Sequence, residues 1–187
     1  MLLDEQGVKR LTALFDGIMA VAMTILILPL TDSALTFKGA SLFDFFNGPN
    51  GLLTLTAIIS FAILLDLWLS HHMLFAKVKS ISRRVFLIHA IFQLLIIFIP
   101  LFTRLVSLHL DNQVTSISYL VIITVMYAHL PIMAGHLHQK ITGYSLWPIV
   151  AFLIVIMVDL FFPGYQIFLL VIVLIITIVS MFVKQLD

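Results

Sequence analysis

The sequence predicts an all-α integral membrane protein: six transmembrane helices in one domain spanning residues 1–187, with both termini in the cytoplasm. Three observations carry that reading. First, 62% of the 187 residues are hydrophobic and 10% are charged, with a mean hydropathy of +1.19. Soluble domains have about 25% charged residues, so this chain has too little polar surface to cover a water-facing exterior. Second, six apolar segments of bilayer length can be drawn along it. Third, the ten Lys and Arg residues divide unevenly between alternate connections. There is no cysteine, which excludes disulfides, thiol chemistry and thiolate metal sites. The formal net charge of +1 says little as a total; its distribution along the chain says more.

The first segment, Thr12–Leu30, follows Lys9 and Arg10 and runs to Pro29. Basic residues before an apolar run have the outline of a secretory signal peptide. Asp16 interrupts this run, and the run exceeds the usual core of about 7–15 residues, so a retained span is expected. A carboxylate inside such a helix costs roughly 2.5–3.5 kcal/mol, which a plain anchor has no reason to carry. The connection Thr31–Gly51 is the long one. Its Ser41–Phe46 part is aromatic and is expected at the outer interface, and Gly48-Pro49-Asn50-Gly51 reads as a turn.

The second segment is Leu52–Ser70, the third Val85–Leu105 and the fourth Ser116–Ala134. The fifth, Leu146–Phe162, and the sixth, Gln166–Val183, are nearly pure Leu, Ile, Val and Phe and are expected to face lipid. No segment shows a Gly or Pro break at mid-depth. Lys9, Arg10, Lys77, Lys79, Arg83, Arg84, Lys140 and Lys184 fall on one side of this arrangement, and only Lys38 and Arg104 on the other. The positive-inside rule makes the richer side cytoplasmic.

With that topology, the intramembrane polar residues form a layer in the inner half. Asp16 is about four residues into the first segment, Asp66 about four from the inner end of the second, and His89 about five into the third, at 1.5 Å of rise per residue. Trp68, His71, His72 and Phe75 recur at i, i+3, i+4, i+7 and share one helix face. Arg10 and Asp16 point about 120° apart, so each needs a partner on another helix or subunit. Buried ions need partners, and a network of Arg10, Asp16, His71 and His72 is expected. For Arg10, His72, His136 and His138, near the boundary, snorkelling into the headgroups is an equal reading. Asp66 reads as facing a polar gap between helices. Asp159, with Arg104, His109 and Asp111, is expected at the outer interface.

Past Asp16, the residues Val21, Ile25 and Leu28 lie at i, i+4, i+7, with Thr24 beside them. Ala13, Gly17 and Ala20 offer small-residue surfaces for close helix approach. From spacing alone, such a stripe is ordinary helix packing.

At these residues the chain resembles the transmembrane protein 175 family, potassium-permeable channels of endolysosomes and bacteria. The family begins its first helix with Arg-x-x-x-Phe-Ser-Asp, and Arg10-Leu11-Thr12-Ala13-Leu14-Phe15-Asp16 occupies that position. Leu14 stands where Phe is usual and Phe15 where Ser is usual, which removes one hydroxyl from the family's polar set. Trp68-Leu69-Ser70-His71-His72 is similar to the family's Trp-x-x-His at the end of helix two, and Pro100-Leu101-Phe102-Thr103 to its Pro-Phe-x-Thr region. The resemblance covers roughly the first three helices. It implies a homotetramer of single-repeat, prokaryotic type in the plasma membrane. The first helix lines the pore, with Val21, Ile25 and Leu28 as an apolar constriction and Thr24 and Gly17 beside it. Arg10, Asp16, Trp68, His71 and His72 then hold helix one against helices two and three. K+ is the permeant ion, no cofactor is implied, and the partners are monovalent cations, lipid and copies of itself rather than nucleic acid.

Two other classes are weighed. A proton-coupled carrier using Asp16, Asp66 and His71 is the second reading; carriers place their sites on broken helices near the midplane, and no such break is expected here. An enzyme is the third. His-Glu-x-x-His is missing, and neither His71-His72 nor His136-x-His138 builds a metal-binding helix face at i, i+4. Ile141-Thr142-Gly143-Tyr144-Ser145 has the outline of a carbonyl filter, but it lacks the second glycine and a re-entrant helix and lies in a cytoplasmic connection.

Overall fold

The computed structural model describes residues 2–39, 41–47, 49–109, 111–138, 143–162 and 165–185. Among them every regular element is helical, and the one β-type contact is an isolated antiparallel bridge between Leu3 and Ile81.

Helix α1 (Glu5–Ile25) starts where Asp4 accepts a hydrogen bond from the Gly7 N–H at 2.9 Å, an N-cap that satisfies one of the helix's free donors. Lys9 and Glu5 pair at 2.8 Å along its first turns. It ends sooner than the apolar pattern implied. A turn at Leu26 and Ile27 leads into α2 (Leu28–Thr36). Pro29 explains the break: it has no N–H to give the Ile25 carbonyl, and its ring crowds that carbonyl. The segment expected over Thr12–Leu30 is thus two helices. Together they form a span of 32 residues, Glu5–Thr36.

Helix α3 (Leu42–Phe46) lies in the long connection. Ser41 and Asp44 form a capping box: the Asp44 N–H donates to Ser41 Oγ at 3.2 Å and the Ser41 N–H to Asp44 Oδ2 at 3.1 Å. Phe45 is buried with Leu30 and Leu53, and Phe37 meets it edge-on at 5.1 Å. The turn expected over 48–51 is corrected: Pro49, Asn50 and Gly51 are the first turn of α4 (Pro49–Phe75), and Gly48 lies outside the described residues. A Cβ on Gly51 would collide with the Phe46 carbonyl oxygen, so the close approach of α3 requires glycine there.

Helix α5 (Arg83–Leu108) is capped by Ser82, whose Oγ accepts from the Val85 N–H at 3.3 Å, and contains Pro100. Helix α6 (Gln113–His136) is capped by Asn112, which accepts from the Val114 and Thr115 N–H groups. It ends with His138 in the left-handed region at φ 54°, the position that turns a chain out of a helix. Helices α7 (Gly143–Phe161) and α8 (Gln166–Gln185) complete the set. The stretch with the outline of a filter contains no loop at Gly143–Ser145, which is helical; Ile141, Thr142 and Lys140 lie outside the described residues.

Four helical stretches among the described residues are long and apolar enough to cross a membrane: Glu5–Thr36, Pro49–Phe75, Arg83–Leu108 and Gln113–His136. Leu146–Phe161 is a shorter apolar helix. Helix α4 occupies the middle, packing against α1, α5, α6 and α8, while α6 joins α5 to α7. This is why α4 is apolar nearly all round.

Helices α7 and α8 were expected to meet lipid. Each instead puts one face into the core: Phe152, Val155 and Asp159 from α7, and Leu169, Val173 and Thr177 from α8, are buried. Asp159 is corrected in the same way. It is fully buried rather than interfacial, accepting from Ser116 Oγ at 2.6 Å, and its backbone carbonyl accepts from Gln113 Nε2 at 2.7 Å. A carboxyl group in an apolar core needs a donor, and α6 supplies one to Oδ2 through Ser116, while Oδ1 has no partner among the described residues. Two further polar ties cross the bundle. Ser60 Oγ sits 2.6 Å from Thr103 Oγ1 and 2.7 Å from Tyr119 Oη, joining α4, α5 and α6. Tyr127 donates to Asp66 Oδ2 at 2.7 Å, joining α6 to α4.

Candidate functional site

The first span has two unlike faces. Val8, Leu11, Phe15, Met19, Ala22 and Leu26 recur at helical spacing and are buried against α4 and α5. The opposite face is free within the subunit. Val21 is 57% exposed, Ile25 40% and Leu28 53%. Gly17, Ala20, Thr24 and Arg10 are exposed on the same side. A Cβ built on Gly17 meets nothing within 4 Å. Thr24 spends its hydroxyl hydrogen on the Val21 carbonyl at 2.9 Å, which leaves its oxygen lone pairs open. Leu28 belongs to α2, so the stripe continues across the Pro29 break rather than along one straight helix.

What holds this span is a polar and aromatic cluster at the basic end. Trp68 Nε1 donates to Asp16 Oδ1 at 2.9 Å, tying α4 to α1. Phe15 is fully buried, and its ring stacks on His71 at 3.7 Å between centroids and an interplanar angle of 26°. His71 stacks in turn on His89 at 4.8 Å and on Phe75 at 4.3 Å, and Phe92 stacks on His129 at 4.2 Å. His72 is exposed and stacks on Trp68 at 5.7 Å. The i, i+4 spacing of Trp68–His72 and His71–Phe75 produces both stacked pairs.

The residues singled out in the sequence are therefore divided. Asp16, Trp68, His71 and His72 lie together, but among the described residues hydrogen bonding joins only Asp16 and Trp68. His71 and His89 are enclosed by rings, and neither imidazole has a hydrogen-bond partner among the described residues. Arg10 is exposed and makes no ion pair within the subunit among the described residues. It projects from the outward face of α1, so the polar set expected to include it is incomplete within one subunit.

Phe15 takes the centre of the cluster, where the resemblance marked only a missing hydroxyl. Sequence reading also missed His129, Tyr127 and the Ser60–Thr103–Tyr119 set. Their signal was available, since a polar side chain in mid-segment is costly without a partner. Among the described residues, no group of three or more His, Asp or Glu side chains is placed to hold a metal ion.

The fold and this cluster define an all-helical, polytopic membrane protein whose first span is packed on one side and free on the other. Residues 10–100 match the family model described as the endosomal/lysosomal potassium channel TMEM175. Over that stretch, just under half of its length, the chain is similar to the TMEM175 family. The match takes in most of the first three long spans and the whole Phe15–His71–His89 cluster. The fold is similar over most of its length to a solved structure from Chamaesiphon minutus, described as a lysosomal potassium-selective channel TMEM175 homolog. The TM-score is 0.74 at 19% identity, covering 92% of this chain and 97% of that one. No curated protein matches the sequence.

Proposed function

We propose that the protein is a potassium-permeable cation channel, a homotetramer whose pore is lined by the first span of each subunit. The observation that carries this is the asymmetry of that span: a fully packed inner face and an outward face of Gly17, Val21, Thr24, Ile25 and Leu28 that no element of the subunit covers. The family-model match over residues 10–100 and the fold shared with the channel homolog support it. Four copies of the face around one axis enclose a neck about 10 Å long, from Val21 to Leu28 at 1.5 Å per residue. Val21, Ile25 and Leu28 form its constriction. Aliphatic side chains cannot coordinate a bare cation, so the neck gates by wetting and dewetting. The Asp16–Trp68 bond and the Phe15–His71 stack set the position of the first span against α4 and α5. Arg10, on the outward face, finds its partner on a neighbouring subunit.

In this reading one domain contributes six spans, with α7 and α8 as the fifth and sixth. Both termini are cytoplasmic, in the plasma membrane of a prokaryote; the eight-to-two division of Lys and Arg supports the orientation. The break at Leu26–Ile27 does not favour a carrier. Leu26, Ile27, Leu28 and Pro29 bring no charged or hydroxyl group to it.

Replacing Val21 or Ile25 by Asn puts an amide into the neck. Bilayer recordings are expected to show a larger resting current or a relaxed K+/Na+ ratio. Unaltered current and selectivity in both variants would exclude a constriction at these residues.

A further inference from the structure

At the end of the subunit where α1 begins, a cleft of about 260 Å³ opens between the α4–α5 connection and the end of α6. Lys77, Lys79, Ser80, Ser82, His136 and His138 contribute to its lining, and among the described residues no carboxylate does. We infer that this cleft is a binding site for a phosphate group, carried on a lipid headgroup or on a soluble molecule. The inference does not depend on the channel reading.

The charge pattern is the first support. Lys77, Lys79, Arg83 and Arg84 fall within eight residues, and there is no Asp or Glu between Asp66 and Asp111. Among the described residues, none of these four cations has an ion-pair partner. The carboxylates nearest in the fold are already engaged: Asp4 caps α1 through the Gly7 N–H, and Glu5, within electrostatic reach of Lys79, is bonded to Lys9. The cleft is therefore a concave site at the edge of the bundle with two lysines in its lining, and Glu5 beside Lys79 offsets that charge only in part. Basic pockets of this kind between membrane helices suit phosphate headgroups.

The second support is the donor set. Two ammonium groups supply charge, two serine hydroxyls and two imidazoles supply N–H and O–H donors, and a phosphate offers several acceptor oxygens to share among them. Ser82 accepts from the Val85 N–H, which leaves its own hydroxyl hydrogen free to donate.

The third is preorganisation. The connection is short, and it is pinned. The Leu2 N–H donates to the Ile81 carbonyl at 2.8 Å and the Ile81 N–H to the Leu3 carbonyl at 3.1 Å, while Ile81 and Val85 are buried with Val8 and Leu11 of α1. The wall carrying Lys79, Ser80 and Ser82 is thus held in place before a ligand arrives, which lowers the ordering cost of binding.

The test compares two charge-matched pairs of substitutions in the full chain, purified in an uncharged detergent. Lys77→Gln with Lys79→Gln removes two cations from the cleft. Arg83→Gln with Arg84→Gln removes two exposed cations from the same region, outside the lining. The probes are dioctanoyl phosphatidic acid and inorganic phosphate, titrated calorimetrically.

The wild type is expected to bind one or both probes saturably. The cleft pair is expected to weaken binding by about tenfold or more, and the control pair by less than about twofold, since diffuse surface charge contributes little to a seated ligand. Binding of phosphatidic acid alone assigns the site to a lipid phosphate; binding of both assigns it to the phosphate group itself. Equal weakening by the two pairs, no weakening by the cleft pair, or failure of both probes would overturn the inference. Because the four side chains are at the surface, unligated melting temperatures matching the wild type confirm that the variants are folded.

Discussion

Phe15 sits where the family resemblance places a serine, and removing its ring tests whether the aromatic cluster holds the first span. In Phe15→Ala the side chain lost is fully buried between His71, His89 and Phe92. Lipid tails are as apolar as the core, so the transfer term that dominates in soluble proteins largely drops out at bilayer depth. What remains is lost packing. A cavity of roughly 100 Å³ at about 24 cal/mol per Å³ costs about 2.4 kcal/mol. The void would be lined by imidazole nitrogens of His71 and His89 that have no hydrogen-bond partner among the described residues. A water entering there can satisfy two or more of them, offsetting about 1 kcal/mol. The net loss is then about 1.5 kcal/mol. Phe15→Leu keeps most of the volume and is expected to lose less than about 1 kcal/mol. Reversible unfolding by SDS in mixed micelles, followed by far-UV circular dichroism, measures both. An Ala variant within about 0.5 kcal/mol of the wild type, or no worse than the Leu variant, would refute the packing role.

Two more expectations concern the same span. Trp68→Phe removes the donor to Asp16; the full range for such a bond is about 1.5–3 kcal/mol, and the exposure of Asp16 reduces the expected loss to about 1 kcal/mol in the same unfolding assay. Asp16→Asn keeps an acceptor oxygen and is expected to lose less, and a double-mutant cycle with no coupling would show that the bond does not tie α1 to α4. Gly17→Ala adds a Cβ that meets nothing in the subunit and gains up to about 1 kcal/mol of helix propensity. Subunit stability is expected to hold or rise while current through the assembled protein falls, whereas clear destabilisation would mean that this face packs within the subunit.

Helix type was legible because each segment carries a long apolar run; of the six expected spans, four are long and apolar enough to cross a membrane among the described residues. The boundaries moved where caps decide them: after Asp4, Ser82 and Asn112, helices start at Glu5, Arg83 and Gln113, before the apolar runs expected from Thr12, Val85 and Ser116. The break before Pro29 was signalled by that proline, yet the apolar run through Leu30 hid it. The aliphatic stripe of the first span was visible in its spacing, but spacing does not say which side of a helix a neighbouring element covers; only the packing of Phe15, Met19 and Ala22 does. The histidines were harder to place. Composition marks His71 as costly in a membrane and so predicts hydrogen-bonded partners, whereas the fold surrounds it with the rings of Phe15, Phe75 and His89. Asp159 was misplaced for a related reason: the donor to its carboxyl group, Ser116, comes from another helix 43 residues away and leaves no local trace.

The absence of cysteine from the chain allows a direct look at where the first span's free face points. Val21→Cys and Ile25→Cys, introduced singly, each place one thiol on that face. If the first span lines a water-filled route, a membrane-impermeant methanethiosulfonate reagent applied during bilayer recording will block or alter the current in both variants and leave the cysteine-free protein unaffected. Currents indifferent to the reagent, with both thiols labelled only by a lipid-soluble maleimide, would put this face in the bilayer and contradict a pore along the first span.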